Sequence, residues 1–535
     1  MRRLLIALLV LAGSGCNLLL DIPSLSENDA SVPDADDGHP HVDRVRIEGY
    51  GDSTQARQGA GSITLTVTGV HLDALDEVRL GDLSTTVEPG ATASSLRLTA
   101  EIPHGASPGP ISLVVSGSAG RATMDAALVI TPISVATGGD DAAGLGTPER
   151  PLASLRQALR AASAGDTVRL AAGTYGLSPG WPATGVKVPA GVVIEGAGAA
   201  LTRLDAGQQA GAASDGLVFA ADATLKNLGF AHLGDAIVVR AGHVVIDSVT
   251  VQDSRSQGLV ISGAAHVDLA RATFAGGPEQ GIIVHDTATL TATDVEVSGY
   301  QQQGIAINGH AQVKLLRIDA HTNGESTGDD SDCGVLVSEM ATITVEDSRI
   351  HNNAVAGMEV NSAQLLTVKN TDVFGNGFVN GSNFASHGLV ARGATVIVEG
   401  GEYYGNGSDG IQLESGTASV RGVVMRDNGS AGLVLTFMRS VTVRDTQIRG
   451  QQGCCGIYVN GSNAGVLDLG SDSEPGHNQI THNIAAIRDA RSTPGARATF
   501  VGTTINGRGL PAGPVLGPVE SSPDYVLEHD TQLEF

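Results

Sequence analysis

Gly258-Leu259-Val260-Ile261, Gly281-Ile282-Ile283-Val284, Gly304-Ile305-Ala306-Ile307, Gly334-Val335-Leu336-Val337 and Gly357-Met358-Glu359-Val360 share one pattern: glycine, apolar, any residue, apolar. The pattern continues at Gly388-Leu389-Val390-Ala391, Gly410-Ile411-Gln412-Leu413, Gly432-Leu433-Val434-Leu435 and Gly456-Ile457-Tyr458-Val459. From glycine to glycine the steps are 23, 23, 30, 23, 31, 22, 22 and 24 residues. Alternation at period two is the signature of a strand. A second strand keeps step at Val267/Leu269, Val313/Leu315, Ile343/Val345, Val396/Val398 and Val441/Val443. A third is marked by Val295/Val297, Ile318, Ile350, Val373 and Ile448. Three strands fill each period and leave no room for a helix, so each repeat is one coil and its strands stack in parallel on the next. The rival, a β-propeller, needs about 40–50 residues per blade.

Upstream of the coils, Gly146-Thr147-Pro148 leads into Pro151 to Ser163, then Ala164-Gly165-Asp166-Thr167-Val168 and Gly173-Thr174-Tyr175. Leu152, Leu155, Leu159 and Ala162 recur at three and four residues, one face of a helix. The run resembles the opening of bacterial pectin-lyase-like β-helices, in which a short helix plugs the end of the cylinder. An open end would expose apolar side chains and unpaired strand edges. The fold expected is all-β, a small sandwich followed by a right-handed parallel β-helix at 134–490 with a capping helix at about 151–163. Residues 491–535 carry Pro511, Pro514, Pro518 and Pro523 and read as an irregular wrap.

The sandwich is read over 44–133, where short strands alternate with Gly and Pro turns. Ile63-Thr64-Leu65-Thr66-Val67 alternates strictly and stops at Gly69. Thr68-Gly69, Leu80-Gly81-Asp82, Ile102-Pro103 and Pro108-Gly109 resemble the IPT/TIG immunoglobulin-like family, which implies a spacer or adhesive module.

At the start, Arg2 and Arg3 precede the apolar run Leu4 to Ala12, and small residues lead to Cys16. This pattern is a secretory signal, too short to span a membrane as a mature helix. Gly15-Cys16 is similar to the bacterial lipobox, although Gly13 stands where Leu is usual. The resemblance implies lipidation at Cys16 and a cell-envelope or outer-membrane lipoprotein; ordinary cleavage with release is the alternative. Residues 16–43 are acidic, small and aperiodic, as a disordered tether would be.

The 535-residue chain has a formal charge of −25, 71 glycines and only 3% aromatics. An acidic surface excludes nucleic acid as partner, since phosphate needs a basic face. With few aromatic rings, the core must be filled by Val, Ile, Leu and Ala.

Asn370-Thr371-Asp372 is similar to a motif of polygalacturonase-type hydrolases, yet Asp347-Ser348, Asp247-Ser248 and Asp445-Thr446 fall at the same repeat position. We read all four as turn residues bonding backbone amides. Asn353, Asn406 and Asn428 each lie four residues before a strand glycine and suggest a stacked asparagine ladder. Cys454 and Cys455 are adjacent, and either a local disulfide or two thiols fits. Cys333 and Cys455 stand five coils apart, roughly 24 Å, too far to pair.

Function should sit where coils exceed the period, because insertions in solenoids project from one face. One runs from Thr322 to Cys333 with Glu325, Asp329, Asp330 and Asp332; the other runs from Gly375 to His387 with Asn376, Phe378, Phe384 and His387. Acidic groups near two phenylalanines suit a sugar, and Asp329, Asp330 and Asp332 could hold calcium. The bland alternative is two solvated loops. The reading is a surface-anchored, non-enzymatic binding or structural protein acting on glycans or envelope components. Its alternative is a polysaccharide lyase, epimerase or glycoside hydrolase, although the sequence displays no catalytic constellation.

Overall fold

The computed structural model describes residues 38–177, 180–207, 214–324, 332–377, 386–461, 465–481, 483–491, 497–505, 508–509, 525–527 and 532–534. Strand Ile305–Ile307 shows how sequence becomes coil. Ile305 and Ile307 point inward and are fully buried in the main core, while Ala306 points to the outer face. The strand pairs in parallel with Ile282–Val284 below and Cys333–Ser338 above, with Ala306 opposite Ile283 and Leu336. The same pairing builds a fourteen-stranded parallel sheet from Val186–Val188 to Tyr525–Leu527. Two further strands per coil stack into a second, wider sheet that wraps the rest of the cylinder. Between those two strands the chain turns on single left-handed residues, among them Ser248, Asp294, Asp347, Asn370 and Asp445. Register corrects one detail of the sequence reading. Asp247 pairs with Ala270, so Ser248, not Asp247, is equivalent to Asp347 and Asn370.

Above each corner runs the amide ladder. Asn353 Oδ1 accepts from the backbone and side-chain amides of Asn323, both at 3.1 Å. Its Nδ2 donates to Asn376 Oδ1 at 3.0 Å and to the Ala320 carbonyl at 3.1 Å. Asn376, Asn406, Asn428 and Gln451 repeat the arrangement. The ladder therefore contains Asn376, which the sequence reading had placed in an insertion. Asn406 and Asn428 are buried as rungs of this ladder.

The helix spans Leu155–Ala161, with Ser154 Oγ capping the Gln157 amide. It is shorter at both ends than 151–163: Leu152 forms a bridge with Val135, and Ala162 is already extended. Leu152, Leu155, Leu159 and Ala162 are all buried against the first coil. At the other end, Tyr525–Leu527 pairs with Ala485–Arg491 and Gln532–Glu534 with Arg497–Thr499, both in parallel. In the chain between the partners of these two parallel pairings, Thr504–Ile505 and Arg508–Gly509 pair antiparallel.

The first domain packs two four-stranded sheets over its own core. It begins at His41–Ile47, so the expected tether is shorter than 16–43. Its last strand, Gly120–Thr131, passes through Pro132 into Ile133–Val135, which pairs with Thr167–Leu170 of the coil. Buried Asp166 locks this seam. Its carboxylate accepts from the Gly105 amide (2.8 Å) and the Ser163 amide (3.0 Å) and lies 2.5 Å from His104 Nδ1. Gln58 Oε1 accepts from the Thr167 amide at 2.9 Å. No helix among the described residues is long and apolar enough to cross a membrane.

Candidate functional site

In a three-residue strand whose outer two residues face the core, the middle one must face out. On the fourteen-stranded sheet these middle residues form one file: Val218, Val238, Val260, Ile283, Ala306 and Leu336. Outward-facing valines are ordinarily exposed, yet Val218 and Val238 are only 3% accessible. They pack on one another and on Val260, with Ile283 beside them.

One rim comes from the residue before each strand glycine. Gln257 Nε2 donates to Gln280 Oε1 at 2.8 Å, and Gln280 Nε2 donates to Gln303 Oε1 at 3.0 Å and Gln302 Oε1 at 2.5 Å. Asp235 Oδ1 anchors the start by accepting from the Gln257 amide at 3.2 Å. The other rim is Arg240, Ser262, His285 and Asn308, each following its strand and each bonded through its amide to the coil below. The strip with rims on both sides runs from Val238 to Ala306 and forms a trough about 14 Å long. Its aliphatic floor can meet the C–H face of a sugar ring, and its polar rims both donate and accept, as hydroxyls require.

Toward the C-terminus the face becomes charged. Glu359, the next in the middle file, is 7% accessible and accepts from Arg392 Nη1 at 2.8 Å and Asn361 Nδ2 at 3.1 Å. Arg392 also faces Glu414 at 3.6 Å. On the glutamine rim's continuation, His387 Nδ1 lies 3.1 Å from Asp409 Oδ2, but off the line a hydrogen bond needs. Neither ring nitrogen of His387 has a hydrogen-bond partner among the described residues.

Of the residues singled out from sequence, Glu325, Asp329, Asp330, Phe378, Phe384 and Cys16 lie outside the described residues. His387 and Asp332 are described, and both are buried. The carboxylate group considered for calcium is therefore represented by Asp332 alone. The stems of the two insertions occupy equivalent positions on the coil. The Val355 amide donates to the Asp332 carbonyl, the Ala354 amide to the Asn323 carbonyl, and the Gly377 amide to the Asn353 carbonyl. Both insertions thus leave from the corner that precedes the fourteen-stranded sheet, with Ala354-Val355 the unlengthened coil between them.

The glutamine rim, Glu359, Arg392 and Asp409 were not singled out from sequence. Their signal was present in the repeat alignment, in the residue before each glycine and the middle residue of each strand. Cys333 lies beside this face; burial, reinforced by Glu359 and Asp332, pushes its thiol well above the usual range and leaves it inert. Cys454 and Cys455 form a vicinal disulfide.

The wider sheet carries a second outward file, His321, His351, Phe374 and Tyr404, stacked at 4.7–5.0 Å. Arg426 caps its Tyr404 end at 3.9 Å. Because the rings cover each other's faces, only edges reach solvent. The file braces the coils and offers no stacking platform for sugars.

The family model described as "Right handed beta helix region" matches residues 216–379 and 321–483, together just over half of the chain. No curated protein matches. Among solved structures, the A-module of the Azotobacter vinelandii mannuronan C-5 epimerase AlgE4 is 15% identical with a TM-score of 0.38, covering 69% of this chain and 88% of its own. Pectate lyase Pel9A is 15% identical with a TM-score of 0.33, over 74% of this chain and 87% of its own. The periplasmic alginate epimerase AlgG is 10% identical with a TM-score of 0.36, over 69% and 77%.

Proposed function

The chain belongs to the right-handed β-helix family, and on that premise we propose that it is a non-enzymatic glycan-binding protein that lays a polysaccharide along its fourteen-stranded sheet. The observation that carries this is the apolar file Val238 to Ala306 between the Asp235–Gln257–Gln280–Gln303 rim and the Arg240–Asn308 rim. Such an arrangement combines an apolar floor with convergent amide groups, the usual make-up of a binding site. The formal charge of −25 favours neutral chains over uronates, which it repels. Cys16 would tether the protein to the envelope, with the IPT/TIG-like sandwich as its spacer.

The test is retardation of the protein in gels containing neutral glucans and mannans or acidic alginate and polygalacturonate. Ile283→Asp, which sets a charge on the floor, should abolish retardation by neutral chains without shifting Tm by more than a few degrees. Retardation by no polysaccharide, or equal retardation of wild type and variant, would sink the proposal.

One observation favours an enzyme instead. His387 beside Asp409, with Arg392 on the same face, resembles a base and a charge-neutralising partner for uronate chemistry. Against it, Arg392 is engaged by Glu359, and His387 is closed from solvent. Release of unsaturated or epimerised uronate, lost in His387→Ala, would move the protein to that class.

A further inference from the structure

We propose that His243, His266 and Asp268, on the outer face of the wider sheet, form a binding site for a divalent transition ion of the zinc, nickel or copper(II) class. The fold brings the three together without a loop. His243 and His266 are direct partners on adjacent parallel strands, His243–Asp247 and His266–Gly277. Strand stacking therefore holds the imidazoles side by side, with ring centres 4.6 Å apart. Asp268 is two residues beyond His266 and so shares its face. Its Oδ2 lies 2.8 Å from His243 Nε2 and its Oδ1 lies 3.5 Å from His266 Nε2.

The three donor atoms lie within 4.8 Å of one another. An ion about 2.0–2.1 Å from each donor needs them about 3.3 Å apart, and each imidazole already has one oxygen of the carboxylate near that distance. His266 is also oriented from behind: its Nδ1 is 2.5 Å from Thr289 Oγ1, on the next coil. With Nδ1–H donating to that hydroxyl, the lone pair of Nε2 faces Asp268, the outer-partner arrangement usual for ligating histidines.

Charge is consistent with a cation. Among the described residues, Asp268 has ion-pair partners only in these two imidazoles. Lys314, in the same file, is two coils further on and is paired with Glu346. All three side chains are about half exposed, so an ion can enter and keep water on its open side. Two nitrogens and one carboxylate select borderline transition ions; calcium and magnesium require oxygen donors throughout. The site is separate from the trough and from the insertion carboxylates.

The experiment uses the secreted form of the full chain, beginning after residue 16 and carrying no histidine tag. Copper(II), zinc, nickel and calcium are titrated and followed by Tm, and the copper form by electron paramagnetic resonance. The expected result is one saturable ion per chain, a raised Tm, and hyperfine splitting from two nitrogens that falls to one in His266→Gln. The His243→Gln/His266→Gln double variant should keep the apo Tm and lose the ion-dependent rise. The chain has 15 histidines, so an unchanged stoichiometry and affinity in the double variant would assign the ion elsewhere and overturn the proposal. Absence of binding by wild type would overturn it too, as would a response to calcium equal to that to zinc.

Discussion

Asn376→Ala removes one rung of the amide ladder, and its cost follows from the bonds it leaves unmade. Asn376 Oδ1 accepts from the Asn353 backbone amide and from Asn353 Nδ2, both at 3.0 Å, and its own Nδ2 donates to the Ile350 carbonyl at 3.2 Å. Alanine leaves the two Asn353 donors without an acceptor in a site closed to water. Each buried unsatisfied group costs about 1–3 kcal/mol, so the substitution should cost roughly 2–6 kcal/mol before the small cavity is counted. Urea unfolding gives the total, and amide hydrogen exchange at Asn353 locates it. The control is Gln364→Ala, at an exposed position whose side chain has only a 3.5 Å bond from Thr342, and it should stay within about 0.5 kcal/mol. Asn376→Asp keeps the acceptor but sets a carboxylate against the Ile350 carbonyl and Asn406 Oδ1. Burial raises its folded-state pKa, so that variant should recover stability as pH falls and the carboxyl becomes a donor. A cost for Asn376→Ala below about 1 kcal/mol, or unaltered exchange at Asn353, would show that the ladder is decoration on a coil held by its apolar core alone.

Two further tests address phase and anchorage. Ile307→Ala should cost on the order of 2–5 kcal/mol as an interior cavity, and Ala306→Ser on the outer face far less; the reverse order in denaturant would place the strand one residue out of phase. Radiolabelled palmitate should enter the wild type but not Cys16→Ser, and equal labelling of both would remove the lipid anchor.

The coil was legible in the sequence because its cause is local. Glycine, then apolar residues at alternate positions, recurs in nine successive turns from Gly258 to Gly456 whatever happens between turns. The capping face Leu152, Leu155, Leu159 and Ala162 was legible for the same reason. Asn376 was missed as a rung because a long insertion follows it at once, and its equivalence to Asn353 rests on geometry across coils. The Ser248 turn shows how alignment by residue type alone can slip by one where the backbone fixes the register. The trough and the charged patch were the hardest to read. Glu359 and Arg392 are 33 residues apart and meet only because one lengthened coil closes between their strands. Gln257, Gln280 and Gln303 each look like an ordinary polar turn residue until stacking turns them into a rim.

The Asp166 seam has a consequence for many molecules on one surface. The Gly105–Asp166 and Thr167–Gln58 hydrogen bonds and a strand running through Pro132 join the two domains, so the coil cannot swivel freely on the sandwich. If the chain is tethered as proposed, sandwich and coil move as one piece on the tether, and many troughs face one layer of polymer. Once one copy has captured a polymer, each later capture is an intramolecular event at high effective concentration. Weak grip by single troughs becomes firm retention of a long chain. Loosening the joint by Asp166→Ala should leave the grip of one copy intact and diminish retention by a crowded layer.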